Sequence, residues 1–171
     1  MKLEFGLQFS RLPVQEESSM IKKIDEAFQG ISLQGGITID NAIDIDDRIQ
    51  SKKPVVHHKY QVTDELIKHG EYSCVLAHMD PKGFKFHIPF YMKFSLKNDT
   101  EIDVIDEVIY ALSKPDLEIQ EEKHAVFNRG QISVIIEYLD YLAAHGHEDI
   151  DIDEALKASK YWRLKLASLK N

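Results

Sequence analysis

The central stretch of the chain reads Asp80-Pro81-Lys82-Gly83-Phe84-Lys85-Phe86-His87-Ile88-Pro89. Its first four residues suit a type I turn, which favours aspartate first, proline second and glycine fourth. The residues after the turn alternate between apolar and polar types, as is typical of a half-buried strand. Tyr72 to Met79 is the matching strand candidate before the turn. We therefore predict a β-hairpin over residues 72–88.

The two faces of this hairpin differ in composition. If Met79 lies opposite Phe84, one face is apolar, and the other face carries the following residues: Cys74, Leu76, His78, Lys85 and His87. Proline lacks an amide hydrogen and suits the first turn of a helix. We therefore expect a helix to begin at Pro89 and to continue through Leu96.

Residues 129–145 carry the broadest apolar helix face in the sequence. One stripe at helical spacing contains Ile132, Ile135, Ile136, Leu139 and Leu142, and Gly146 is placed to end the helix. A face of this breadth belongs in the centre of a fold. The predicted fold class is therefore α+β, a mostly helical single domain over residues 1–171 with one β-hairpin packed against this long central helix.

Local capping signals predict shorter helices elsewhere. Ser18 or Ser19 is expected to cap a helix that ends at Gly30. Thr38 is expected to cap a helix that continues through residue 49, and Thr63 one that continues through residue 69. Periodicity predicts two more helices, at about residues 101–112 and 151–169, the second within a C-terminal helical segment at residues 147–171. Residues 51–58 are polar and interrupted by proline, which predicts a loop.

Composition and charge exclude several classes of protein. The chain has 171 residues, of which 21 are basic and 29 acidic, so its formal net charge is −8. That charge repels phosphate backbones and disfavours nucleic acid as a partner. The single cysteine excludes an internal disulfide framework. No apolar run reaches the roughly 18 residues of a spanning helix, and no signal peptide is recognised at the start, so we expect a cytoplasmic protein without a membrane partner.

Four segments occur in an order that resembles a known family. They are Ala27-Phe28 at the end of the first helix, Gly36-Ile37-Thr38-Ile39, the run Gly83–Pro89, and Gln131–Leu139. Together they resemble a widespread bacterial family of small proteins classed as a domain of unknown function, over residues 18–143. The chain departs from that pattern at His87, where a tyrosine is usual. The resemblance implies a bacterial origin and a single domain, and it transfers no catalytic residues.

The first candidate site is a group of metal-ligand types near the predicted C-terminal helix. His145, His147 and Asp149 lie close together in the sequence and are side chains that zinc or manganese accept. Their spacing does not place two histidines on one helical face. The alternative is that His145 stabilises the end of one helix while the acids begin the next.

The second candidate is the polar face of the expected hairpin. It would bring Cys74 near His78, Lys85 and His87, and a thiol nucleophile with a histidine base is a known catalytic pair. The alternative for Cys74 is that of a buried, inert cysteine in an apolar strand. Lys85 and His87 are retained as candidate binding residues.

The third candidate is an acidic stripe on the helix that follows Thr38. Asp40, Asp44 and Asp47 share one face at spacing i, i+4, i+7. Like charges stacked in this way cost stability unless a cation or a basic surface offsets them. The stripe is therefore a candidate surface for a divalent ion or a basic partner. The alternative is a solvated helix face whose charges Arg48 or nearby lysines offset.

These observations favour a non-catalytic protein-interaction module that binds another, basic protein. An immunity-type protein that neutralises a toxin is one concrete form, since an acidic surface steers a basic partner towards it. We expect no cofactor, and a monomer or a small homo-oligomer. The alternative is a metal-assisted hydrolase that uses His78, His87 or the acidic group around His145 and His147.

Overall fold

The computed structural model describes residues 14–48, 60–70, 74–146 and 148–169. Within these ranges the regular elements are helices, and none of them is long and apolar enough to cross a bilayer. In chain order they are α1 (Val14–Ala27), α2 (Ile39–Asp46), α3 (Asp64–His69), α4 (Val75–His78), α5 (Pro81–Lys97), α6 (Ile102–Ala111), α7 (Glu118–Ala125), α8 (Arg129–His145) and α9 (Ile152–Ser168).

The predicted β-hairpin, and with it the α+β fold class, is wrong. Asp80 is the N-cap of α5, and its carboxylate accepts the Gly83 amide hydrogen at 2.9 Å. Pro81 occupies the first turn of the same helix. A type I turn and the first turn of a helix use nearly the same backbone angles, so aspartate followed by proline suits both. Residues 75–78, expected in a strand, form α4.

The helix expected to begin at Pro89 instead begins eight residues earlier and passes through that proline. Phe84 and Ile88 are both fully buried, as are Tyr91 and Met92 one turn further on. Residues four apart share a face in a helix and also in a strand, so the short run of alternation was compatible with either structure. Tertiary burial along the longer stretch of α5 selects the helix.

The centre of the fold is formed by α5 and α8, as the apolar stripe on α8 predicted. Ile132, Ile135 and Leu139 are fully buried, and α9 packs along α8. Trp162 on α9 is buried and donates its indole hydrogen to the Leu112 carbonyl at 2.7 Å. Asn128 and Gln131 form a reciprocal capping box at the beginning of α8.

Most of the other helix predictions are confirmed, with shifts at the ends. The side chains of Thr38 and Thr63 cap α2 and α3 as expected, and α6, α8 and α9 occupy the predicted ranges to within a few residues. The first helix begins a turn before Ser18. Helix α7 was not predicted, because its sequence is mostly polar. The expected loop at residues 51–58 lies outside the described residues.

Gly83 brings the first turn of α5 against the segment before α2. A Cβ atom at this position would lie 2.5 Å from the Ile37 carbonyl oxygen, and one at Gly36 would lie 2.4 Å from the Gly83 nitrogen. The Asp80 carboxylate also accepts the Ile37 amide hydrogen at 2.8 Å. The glycine is therefore required by a close approach of two backbones, and not by a turn.

Candidate functional site

A cavity of about 490 Å³ lies among α4, α5, α6 and α7. Its walls are largely apolar and include Leu76, Phe84 and Ala111. The charged side chains that line it are Asp103, Asp106, Glu107 and Lys123. Both the volume and the combination of apolar walls with a few polar groups are typical of small-molecule sites.

Helix α6 supplies the acidic side of the cavity. Asp103, Asp106, Glu107 and Tyr110 follow one another at spacing i, i+3, i+4, i+7, so one face of the helix presents them together. The opposite face buries Val104, Ile105, Val108 and Ile109 in the core. Amphipathicity of α6 therefore directs three carboxylates towards the cavity.

Glu107 is the most unusual of these acids. Its Oε1 atom accepts the Leu76 amide hydrogen at 2.8 Å. Its Oε2 atom is buried and has no hydrogen-bond partner in the described part of the chain. Burial raises the pKa of this carboxyl to about 7, and the bond from Leu76 opposes that rise. The Glu107 carboxylate therefore has one oxygen, Oε2, that is buried away from water without a hydrogen-bond donor among the described residues.

Lys123, on α7, contacts the C-terminal end of α4. Its Nζ atom donates to the Ala77 carbonyl at 2.6 Å and to the Leu76 carbonyl at 3.2 Å. The residue is 5% exposed, and burial lowers the pKa of its ammonium. The Nζ atom also lies 5.9 Å from the centre of the Phe84 ring. Its donors are thus already directed at the end of α4.

His124 lines the cavity with both ring nitrogens engaged. Nε2 lies 2.9 Å from the Ala111 carbonyl, which can only accept, so Nε2 carries the hydrogen. Nδ1 then accepts from the Tyr161 hydroxyl at 3.2 Å. Burial lowers the pKa of His124 to about 4. The ring is neutral at pH 7, and neither nitrogen is free to act as a general base.

Cys74 lies at the exposed side of the cavity, in contrast to the expectation of a buried strand cysteine. Burial raises the pKa of its thiol, and the negative charges of Glu107 and Asp46 raise it further. Asp46 belongs to α2 and Glu107 to α6. The thiol therefore stays protonated at neutral pH.

Cys74 and Leu76, both expected on the polar hairpin face, line the cavity, whereas the other three residues of that face lie elsewhere. His78 pairs with Asp46 at 3.0 Å, and Lys85 donates to the Val126 carbonyl at 2.6 Å. His87 is fully buried. The thiol and histidine pair proposed for that face depended on the hairpin, which is wrong.

His87 belongs to a polar network inside the fold. Its Nδ1 atom donates to the Gly83 carbonyl at 2.7 Å, so Nε2 accepts from the Tyr60 hydroxyl at 2.9 Å. The same hydroxyl accepts the Ile39 amide hydrogen at 3.0 Å. Burial lowers the pKa of His87 to about 4. The ring joins the beginning of α5 to the beginning of α2.

The acidic stripe lies on the solvent side of α2. Asp40 and Asp47 are exposed, Asp44 is half-buried, and Asp46 next to them reaches His78. The predicted geometry of the stripe is thus present, and its role in binding stays a prediction.

The predicted metal ligands are described only in part. His145 lies 3.6 Å from the Glu16 carboxylate, Asp149 is exposed, and His147 lies outside the described residues. Over the ranges that the structure describes, no group of three or more histidine, cysteine or acidic side chains has the geometry of a metal site.

Sequence reasoning missed Glu107 and Lys123. The spacing of Asp103, Asp106 and Glu107 was a usable signal, because it predicts one acidic helix face opposite an apolar one. Lys123 lies in a run of charged residues and gave no comparable signal. Its burial depends on α7 packing against α5.

Comparison with protein-family models gives a match to a family of unknown function. The model of a Family of unknown function (DUF6714) matches residues 16–166, a range that contains the whole lining of the cavity. Neither the curated proteins nor the solved structures gave a significant match.

Proposed function

The chain belongs to this family of unknown function, DUF6714, and we propose that it is a non-catalytic module that binds a basic protein through one acidic surface. That acidic surface consists of Asp40, Asp44, Asp46 and Asp47 around α2 and of Asp103 and Asp106 on α6. The observation that carries the proposal is the position of α4 between the two sets of carboxylates. His78 on α4 pairs with Asp46 of α2 at 3.0 Å, and the Leu76 amide of α4 donates to Glu107 of α6 at 2.8 Å, so the acidic faces of α2 and α6 lie close together.

Charge complementarity is the physical basis of this interaction. The formal net charge of −8 gives the whole molecule a long-range attraction for cations, and clustered carboxylates concentrate it. Such steering raises the association rate of a basic partner and weakens as salt is added. Exposed Ile45 adds an apolar contact on α2.

The cavity gives no support for catalysis. A cysteine nucleophile needs a lowered pKa, whereas the Cys74 thiol pKa is raised. A histidine base needs a free nitrogen, whereas both nitrogens of His124 are hydrogen-bonded. The metal-assisted hydrolase would need at least three converging ligands, and the described residues contain no such group.

The immunity-type form of the proposal is that the basic partner is a toxin which the acidic surface neutralises. It predicts a toxin-like gene beside the gene for this protein. The absence of such a neighbour, together with the absence of a bound basic protein, would remove this form.

Native mass spectrometry of the protein purified gently from its own host tests the proposal. The variant D40N/D44N/D47N removes the exposed stripe on α2 and leaves the cavity unchanged. The matched control E26Q/D64N/D116N removes the same number of charges from exposed positions elsewhere. We expect a complex with a basic protein for the wild type and the control, and its loss from the stripe variant. An acidic partner, or an unchanged complex in the stripe variant, would refute the proposal.

A further inference from the structure

We propose that the cavity binds a small aliphatic aldehyde covalently, as an imine on the side chain of Lys123. In this assignment the Lys123 nitrogen is the nucleophile, and the apolar walls of the cavity contact the alkyl chain of the aldehyde. The site does not involve the exposed stripe on α2 and requires no protein partner.

The Lys123 nitrogen lies at the wall of the cavity. Its two hydrogen-bond acceptors are the carbonyls of Leu76, at 3.2 Å, and Ala77, at 2.6 Å, and both residues line the cavity. The ring of Phe84, a further lining residue, has its centre 5.9 Å from Nζ. Lys123 itself lines the cavity, although the residue is only 5% exposed. The nitrogen is therefore shielded from bulk solvent and close to the space that a bound molecule would occupy.

The hydrogen bonds of Lys123 suit a neutral amine as well as an ammonium. An ammonium carries three hydrogens, whereas an amine carries two hydrogens and a lone pair. The two carbonyls accept two hydrogens, so loss of the third proton leaves both hydrogen bonds in place. The lone pair that this loss creates is the electron pair that attacks a carbonyl carbon.

The surroundings of Lys123 favour loss of that proton. Burial lowers the pKa of the ammonium, and the charge of Asp80 opposes this effect only in part. The Asp80 carboxylate is bonded to the amides of Ile37 and Gly83. Among the described residues no carboxylate forms an ion pair with Lys123. A lysine desolvated in an apolar pocket is activated for imine formation in this way.

The lining of the cavity selects the class of carbonyl compound. A volume of about 490 Å³ holds a molecule of several carbons, and Leu76, Phe84 and Ala111 offer it hydrocarbon surface. Asp103 and Asp106 also line the cavity and repel anionic carbonyl compounds such as keto acids. An uncharged aldehyde with an alkyl chain meets both conditions.

The reaction is a condensation that releases water. The Lys123 amine forms a bond to the aldehyde carbon, the nitrogen gives up one hydrogen, and the former carbonyl oxygen gains one, which yields a carbinolamine. The hydroxyl group then leaves with the second hydrogen of the nitrogen as water, and a C=N bond remains. No oxidant or reductant takes part. When the imine is protonated it keeps one N–H, which can donate to the Ala77 carbonyl, the nearer of the two acceptors.

Reductive trapping of the full chain tests the assignment. Sodium cyanoborohydride converts an imine into a stable secondary amine, and peptide mapping by mass spectrometry locates each alkylated lysine. The probes are hexanal and acetaldehyde at pH 7, and the internal reference is Lys160, at an exposed position of α9. We expect hexanal to label Lys123 faster than Lys160. The ratio of the two rates should be about tenfold or more larger with hexanal than with acetaldehyde, because only the cavity buries the longer chain.

Two results of this measurement would overturn the assignment. One is labelling of Lys123 by hexanal that is no faster than labelling of Lys160. The other is a ratio of the two rates that is the same for both aldehydes, since the alkyl chain would then lie outside the cavity.

Two variants separate the nucleophile from the cavity. K123R keeps a cationic donor for the two carbonyls but forms no imine, so it should lose the fast-labelled site and leave labelling of Lys160 unchanged. A111F fills part of the cavity and should slow labelling of Lys123 by hexanal more than by acetaldehyde. An undiminished hexanal rate at Lys123 in A111F would contradict the assignment. The stripe variant D40N/D44N/D47N should be labelled like the wild type, so failure of the protein complex and failure of this site are distinguishable.

Discussion

Glu107 and Lys123 bind opposite ends of the same short helix. Glu107 accepts the Leu76 amide hydrogen at 2.8 Å, and Lys123 donates to the Ala77 carbonyl at 2.6 Å. Helix α4 has only four residues, and Cys74 before it provides no side-chain cap. A helix of this length is unstable alone. The Glu107 oxygen at its beginning and the Lys123 ammonium at its end bond to backbone groups that so short a helix leaves unpaired, so α6 and α7 together hold this wall of the cavity in place.

Replacing Lys123 should therefore weaken the fold. K123M keeps most of the apolar stem but leaves the Leu76 and Ala77 carbonyls without their donor. We expect a loss of about 1–3 kcal/mol in the free energy of unfolding, measured by urea denaturation. The control K160M lies at an exposed position of α9 and should change stability by less than about 0.5 kcal/mol. Equal effects of the two substitutions would contradict this role of Lys123.

The stability of E107Q relative to wild type should increase with pH. The carboxyl pKa is raised to about 7 in the folded protein from 4.5, so ionisation costs more in the folded state. That cost is absent below pH 4.5 and develops as pH rises through 7. E107Q removes it and should gain about 2 kcal/mol relative to wild type between pH 5 and pH 8.

Denaturant titrations of both proteins at the two pH values measure this difference. The other titratable groups around the cavity are the same in both proteins, so the comparison largely cancels their effects on stability. These groups are Cys74, Tyr91, Asp103, Asp106, Tyr110, Lys123 and His124. A difference in stability that does not change with pH would show that Glu107 is not the group responsible.

The two buried histidines should make the fold sensitive to acid. Burial lowers the pKa values of His87 and His124 to about 4 from 6.5. The unfolded chain therefore binds protons first, and the stabilisation from keeping these rings neutral is complete above pH 6.5 and is lost as pH falls towards 4. Imidazole NMR shifts followed from pH 8 to pH 4.5 should show both rings neutral over most of this range. A midpoint above pH 6 for either ring would contradict the prediction.

Gly83 should not tolerate a side chain. In G83A the new Cβ atom would lie 2.5 Å from the Ile37 carbonyl oxygen, so one of two packed backbones must shift. We expect a loss of about 1–3 kcal/mol or more in the free energy of unfolding. The matched control is G130A in α8, where the nearest atom is Asn128 Oδ1 at 3.4 Å. That substitution should be neutral or should stabilise the helix by up to about 1 kcal/mol, and the reverse order of effects would refute the packing argument.

Features encoded within a few residues could be predicted from the sequence alone. Thr38 and Thr63 cap their helices, and the apolar stripe of α8 is buried as its spacing indicated. A capping side chain bonds an amide three residues away, and helical periodicity repeats every few residues. The acidic stripe on α2 was visible for the same reason.

The candidate cavity could not be predicted in this way. It depends on α6 and α7 meeting α4 through hydrogen bonds that span 31 residues from Leu76 to Glu107 and 46 from Ala77 to Lys123. The burial of Lys123 and the unpartnered oxygen of Glu107 result from the packing of α6 and α7 against α4. Neither feature produces a recognisable pattern among neighbouring residues of the sequence.

The sequence by itself determined approximately where six of the nine helices lie among the described residues, because caps and apolar periodicity act over one or two turns. The tertiary structure decided whether Asp80-Pro81 begins a helix or turns a hairpin, since both start with the same backbone angles. The Asp80 carboxylate accepts the Ile37 amide hydrogen 43 residues away, and Gly83 permits the close approach. Burial of α5 along its length then stabilises the helix, and that burial exists only when the whole chain has folded.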